Sequence, residues 1–125
     1  MVRGIGVDII EIDRIRESVD RLGDLFLSKI FTTREIAYAS GKANRFQHLA
    51  ARFAAKEAVA KALSTGWSGE FRWKDVEVMN EQGGQPRITL TGKLRDVLAA
   101  STIHLSMSHS DTHVVAVVVI EETRG

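Results

Sequence analysis

Two carboxylates and a lysine are the residues whose types and spacing point to chemistry. The run Arg52-Phe53-Ala54-Ala55-Lys56-Glu57-Ala58-Val59-Ala60-Lys61-Ala62-Leu63 is rich in alanine and free of Gly and Pro, so its local preference is helical. Winding the segment from Phe46 at about 100° per residue puts Phe46, Leu49, Ala50, Phe53 and Ala60 on one apolar stripe, with Glu57 near its middle. A carboxylate there needs a cation, because an unpaired buried charge costs several kcal/mol or takes up a proton. Lys61, one turn on, or a metal ion would answer that need. Arg45, Arg52 and Lys56 form a second, wholly positive stripe roughly 80–120° around the same helix. Taken alone, the segment reads equally well as an amphipathic helix with a Glu57–Lys61 surface pair worth a few tenths of a kcal/mol.

The second carboxylate is Asp8. Val2 to Asp8 alternate as a strand, with Ile5 and Val7 on one face and Gly4, Gly6 and Asp8 on the other. The two glycines either leave room for something bulky beside Asp8 or mark close packing against another chain segment. Ile9, Ile12, Ile15, Val19 and Leu22 then recur at spacings of three and four, a helix face stopped by Gly23. Asp8 therefore falls at a strand-to-helix junction, where it reads first as an N-cap, with Glu11 completing a capping-box-like pattern. Asp8 and Glu57 as hard oxygen ligands, with Lys61, Lys56, Arg52 and His104 as anion contacts, make a magnesium-and-phosphate inventory. Mg2+ takes one or two protein carboxylates and completes its shell with water and phosphate oxygens.

Composition excludes much else. A chain of 125 residues with 44% hydrophobic content makes one compact domain with a modest core. A net charge of +1, from 17 basic and 16 acidic residues, gives no bulk attraction to nucleic acid. The absence of cysteine removes disulfides, thiolate zinc sites and cysteine nucleophiles. The four histidines lack zinc spacing, and no nucleophile elbow or Gly-rich phosphate loop is present. Neither a signal layout nor an apolar run of about 18–20 residues occurs, so a soluble cytoplasmic protein without a membrane partner is expected. Two rival classes stay in view: a Mg-dependent nuclease, which the weak net charge disfavours, and a module binding an acidic partner, which leaves Glu57 unexplained.

Several elements must position these groups. Leu25 to Phe31 is a short apolar segment, after which Thr32 or Thr33 caps a helix with Glu35 in its first turn, ending near Gly41. The long helix is predicted from about residue 45 to Ser64, followed by the loop Thr65 to Gly69. Val76 and Val78 mark a strand. A turn from Asn80 to Pro86, with an unpaired, mobile tip, leads into the strand Arg87 to Leu90. Leu94, Val97 and Leu98 face inward from a short helix opened by Thr91 or Gly92. Ile103 to His109 alternates strictly, with His104, Ser106 and Ser108 on one face. The last run, His113 to Ile120, is apolar on both faces; the few helices available cannot cover both, so the excess reads as subunit contact. Glu121 to Gly125 are expected to fray.

The stretches Gly4 to Ile12, Arg52 to Leu63 and His104 to His109 together closely resemble the 4′-phosphopantetheinyl transferases in their short bacterial form. The resemblance covers nearly the whole chain. It rests on G-x-D followed, at the right separation, by F-x-x-K-E-x-x-x-K, with no departure at the signature positions. It implies an α+β fold, a mostly antiparallel sheet packed with one long and several shorter helices, as a single domain over residues 1–125. It also implies a homotrimer with active sites between neighbouring subunits, and Mg-dependent transfer of 4′-phosphopantetheine from coenzyme A to a serine of acyl carrier protein for fatty acid biosynthesis. By this resemblance Asp8 and Glu57 hold Mg2+, Lys61 neutralises phosphate charge, and Glu57 draws the serine proton directly or through a water. Arg52, Lys56, Lys61, His104 and the loop residues Ser64 and Gly66 would contact coenzyme A. Arg14 and Arg21, seven residues apart on the first helix, would dock the acidic carrier together with Arg45.

Overall fold

The computed structural model describes residues 1–63 and 71–123. The predicted mixture of helices and antiparallel sheet is what these residues form. Strand β1 (Val2–Glu11) leads into helices α1 (Ile12–Leu22), α2 (Asp24–Ile30), α3 (Thr33–Ser40) and α4 (Arg45–Leu63). A 3-10 turn (Trp73–Asp75) then precedes strands β2 (Val76–Asn80) and β3 (Pro86–Leu90), helix α5 (Gly92–Val97), and strands β4 (Ser101–His109) and β5 (His113–Glu122). One sheet has the order β1-β5-β4, all antiparallel; β2 and β3 form a separate hairpin.

Strand β5 holds the larger sheet together because it is apolar on both sides. Val114, Ala116, Val118 and Ile120 are buried beneath α4, which lies across β1 and β5. Val115, Val117 and Val119 face the other way, beside Ile5, Val7 and Ile9 of β1, which are 63%, 53% and 66% exposed. Helix α4 is enclosed on its remaining flanks by α1, α3 and β2. Its deepest apolar residues are Ala50, Ala54, Ala55, Ala58 and Val59, whereas Phe46, Phe53 and Ala60 of the predicted stripe are only half-buried.

The alternatives for Gly4 and Gly6 resolve in favour of close packing. A Cβ built on Gly4 would lie 2.1 Å from the carbonyl oxygen of Ala62, and one on Gly6 would lie 1.9 Å from that of Ala58. The space beside Asp8 is thus taken by the α4 backbone.

Several local expectations are corrected. Strand β1 continues to Glu11, paired with His113, so Asp8 lies within the strand opposite Ala116 and is not a helix cap. Long-range ladder pairing and the β-branched Ile9 and Ile10 outweigh the helical spacing there. Ile9 and Leu22 are accordingly exposed while Ile12 and Ile15 are buried. Helix α1 begins after Glu11, whose side chain makes no cap bond. By contrast, Thr32 and Glu35 make the full capping box at α3. The hairpin tip is not unpaired: Glu81 N–H donates to Gln85 O at 2.8 Å and Gly84 N–H to Glu81 O at 2.8 Å. Nor does the tail fray at Glu121, since β5 runs to Glu122 and Thr123 N–H donates to Ala100 O at 2.9 Å.

Gly6→Ala should lower stability by about 2 kcal/mol or more, because overpacking here meets helix backbone that cannot step aside. Gly83→Ala, whose added methyl meets nothing within 4 Å, should change it by less than about 0.5 kcal/mol. Urea denaturation of the two variants checks both values.

Candidate functional site: a carboxylate pair and a lysine between strand and helix

Strand β1 and helix α4 bring Asp8, Glu57 and Lys61 together. The Asp8 side chain, 12% exposed, projects from the helix side of β1. Its Oδ1 accepts from the Lys61 ammonium at 2.9 Å, and Lys61 also donates to the carbonyl of Val7 at 3.1 Å. Lys61 is thereby fixed at its tip while half its side chain stays open to solvent.

Glu57 stands next to this pair. Its pKa is raised, first by burial and then by the negative charge of Asp8, with Lys61 acting in the opposite sense. Lys61 is raised above its usual value, chiefly by its hydrogen bond to Asp8. Among the described residues the arrangement holds two acidic groups, one of them reluctant to ionise, beside the Lys61 ammonium, which is already engaged by Asp8. A hard divalent cation fits such a donor set, because it would offset the Asp8–Glu57 repulsion. Among the described residues no third His, Cys, Asp or Glu completes a cluster, which leaves the remaining coordination positions to water and substrate oxygens.

The other predicted site residues separate into groups. Arg52 and Lys56 do not form a surface stripe: their side chains are 1% and 0% exposed. Lys56 pairs with Glu35 at 3.0 Å and donates to the carbonyls of Trp73 and Val76, so its assignment as a coenzyme A contact is corrected. Burial lowers its pKa, and Glu35 pushes it back up. The Arg52 guanidinium donates to Asn80 Oδ1 at 2.9 Å and stacks over the Tyr38 ring at 4.5 Å, yet it still floors a cavity. His104 lies on the outer face of the sheet, opposite Val119, with Nε2 2.9 Å from Glu121 Oε1. A single chain does not bring it to Asp8 and Glu57. Arg14 and Arg21 are exposed on α1, while Arg45 is half-buried with its guanidinium 5.1 Å from the Phe46 ring. Ser64 and Gly66 lie outside the described residues.

Two features escaped the sequence. Gln47, His48, Arg52, Asn80, Met107 and His109 line a cavity of about 280 Å³. Burial and then the charges of Arg52, Lys42 and His109 lower the pKa of His48. His48 and Arg52 are one helical turn apart, a legible signal; His109 and Asn80 arrive from distant strands and were not. A wider groove of about 620 Å³ runs between β3 and β4, bordered by Pro86, Arg87, Arg95, Ser101 and His104.

Comparison with known proteins establishes the family. The sequence profile of the 4′-phosphopantetheinyl transferase superfamily matches residues 4–118. A holo-[acyl-carrier-protein] synthase of Koribacter versatilis is 46% identical over 98% of this chain and 100% of its own length; one of Chlamydia trachomatis is 48% identical over 94% and 98%. Among solved structures, the synthase of Bacillus anthracis in complex with CoA (3′,5′-ADP) is 38% identical with a TM-score of 0.80, covering 98% of both chains. The synthase of Neisseria meningitidis is 33% identical with a TM-score of 0.86, covering 98% of this chain and 100% of its own. A carboxylate pair and lysine at the signature spacing, on this fold and with these relatives, mean that the chain belongs to the 4′-phosphopantetheinyl transferase superfamily, among the holo-[acyl-carrier-protein] synthases.

Proposed function

We propose that the chain, as one transferase domain, moves 4′-phosphopantetheine from coenzyme A to a serine of apo acyl carrier protein, with Mg2+, in the cytoplasm and for fatty acid biosynthesis. The observation that carries this reading is the convergence of Asp8, Glu57 and Lys61 from β1 and α4. Asp8 and Glu57 would hold the metal, which would supply positive charge to the pyrophosphate oxygens of coenzyme A. Lys61, anchored on Asp8 and open to solvent, stabilises the charge that builds on those oxygens during transfer. The serine oxygen bonds to the β-phosphorus, the bond from that phosphorus to the bridging oxygen breaks, and adenosine 3′,5′-bisphosphate leaves. Glu57 takes the serine proton, directly or through a water, as a positioned carboxylate can.

The cavity floored by Arg52 suits an anionic part of coenzyme A, and the groove beside His104 suits an extended one. The outer sheet face, with Ile5, Val7, Ile9 and Val117 exposed, would be the contact that makes a trimer. Since His104 shares that face, assembly would offer it to the site of a neighbouring subunit. Arg14 and Arg21, with Arg45, would receive the acidic carrier and chiefly speed its association.

Glu57→Gln should abolish the mass gain of apo acyl carrier protein incubated with coenzyme A and Mg2+, read by mass spectrometry, with circular dichroism unchanged. Retained activity would remove Glu57 from the reaction. The same variant tests the electrostatics. A carboxyl whose pKa rises on folding weakens the fold as pH climbs from its unfolded-state to its folded-state value. Glu57→Gln should therefore melt no lower than the parent at pH 7, with any gain vanishing as pH falls through the carboxylate range.

Arg14→Glu should raise KM for the carrier about tenfold, with affinity for coenzyme A unchanged; equal losses would argue against separate sites. Val117→Glu should give a monomer by light scattering and sedimentation, and should abolish transfer. A trimer that persists in this variant would exclude the outer sheet face as its contact.

A further inference from the structure

Lys56 lies in the middle of the signature run, yet its side chain is wholly buried and faces away from solvent. Its ammonium has three donors and meets three acceptors: Glu35 Oε1 at 3.0 Å, the Trp73 carbonyl at 2.9 Å and the Val76 carbonyl. Glu35 is equally enclosed, and its two oxygens also accept from Thr32 N–H at 2.8 Å and Val78 N–H at 2.7 Å. Helix α3, the 3-10 turn and strand β2 thus converge on one atom of α4. Replacing a buried ion pair by apolar groups of similar volume is often neutral or stabilising, so stability alone is a weak reason for this one. What the network adds is direction. An apolar side chain tolerates sliding, whereas an ammonium bonded to acceptors from three elements fixes both the rotation and the depth of the helix.

Rotation of α4 matters at the next residue. Successive helical side chains diverge by about 100°, so anchoring Lys56 sets the direction of Glu57. On the opposite flank α4 rests on Gly4 and Gly6, which carry no side chains to resist rolling. We propose that Lys56 and Glu35 are a positioning pair that aims Glu57 at Asp8. The inference rests on the reading of Asp8 and Glu57 as the metal-holding carboxylates. It gives the first lysine of F-x-x-K-E-x-x-x-K a task inside the protein.

The test compares parent, Lys56→Met, Glu35→Gln and Glu57→Gln chains, each checked for folding by circular dichroism. Mn2+ is titrated by electron paramagnetic resonance in the presence of coenzyme A, and steady-state kinetics are measured in parallel. Lys56→Met and Glu35→Gln should bind Mn2+ about tenfold or more weakly, the size of effect usual when support of a metal ligand is lost. The same variants should lower kcat with KM for coenzyme A unchanged. Glu35 is the sharper probe, since it sits on another helix. Parental Mn2+ affinity in both folded variants would overturn the proposal, and so would unfolding of both, which would make the pair purely structural. Parental Mn2+ affinity in Glu57→Gln would instead overturn the metal reading itself, and the proposal with it.

Discussion

Everything in this fold depends on how near strand β1 can come to helix α4. With Gly4 and Gly6 on the strand and Ala58 and Ala62 on the helix, main chain meets main chain. No larger residue fits at those strand positions, where Cβ atoms would fall about 2 Å from helix carbonyls. That closeness lets the short side chain of Asp8 meet the tip of Lys61. The glycines serve the site indirectly, by removing the thickness of a side chain between the elements that carry it.

Positive charge is divided by depth. Lys56 is buried and matched by Glu35 and backbone carbonyls, and Arg52 is buried against Asn80 and Tyr38 with its Nε unpartnered, whereas Lys61 keeps half its side chain in solvent. The buried cations join α4 to α3 and to the hairpin strand β2. The exposed one is held at its tip by Asp8 and keeps part of its stem in solvent. A helix whose cations all faced water would have more charge to offer but fewer ties to its surroundings. This helix uses two of them as internal ties, and therefore its apolar pattern is blurred: buried alanines take one side, and Val59, Leu63, Leu49 and the two buried cations take much of the other.

The sequence was legible wherever one residue type had one local purpose. A Thr32 or Thr33 cap with Glu35 in the first turn announced α3, the start of α4 was placed at Arg45, and strict alternation identified β4 and its polar outer face. Glu57 was legible as a misfit, whereas Asp8 alone read first as a helix cap. What could not be read was set by distant partners. Pairing with β5 kept β1 extended through Ile9 and Ile10 despite a helical spacing, and the partners of Lys56 come from Glu35, Trp73 and Val76. A lysine on a helix wheel looks the same whether it points to water or to three acceptors. His109 likewise reached the neighbourhood of Arg52 only through the return of β4 across the fold.

Strand β1 carries two unrelated patterns on alternate residues: Gly4, Gly6, Asp8 and Ile10 towards α4, and Ile5, Val7 and Ile9 away from it. Because the period is two, a single inserted or deleted residue upstream of Asp8 would exchange the patterns wholesale, driving Val7 against the helix backbone and turning the carboxylate outward. Substitutions can tune either face independently, but a change of length damages both at once. This edge of the sheet can drift in sequence while its length stays fixed, and descendants of the chain have their freedom to lengthen in the turns instead.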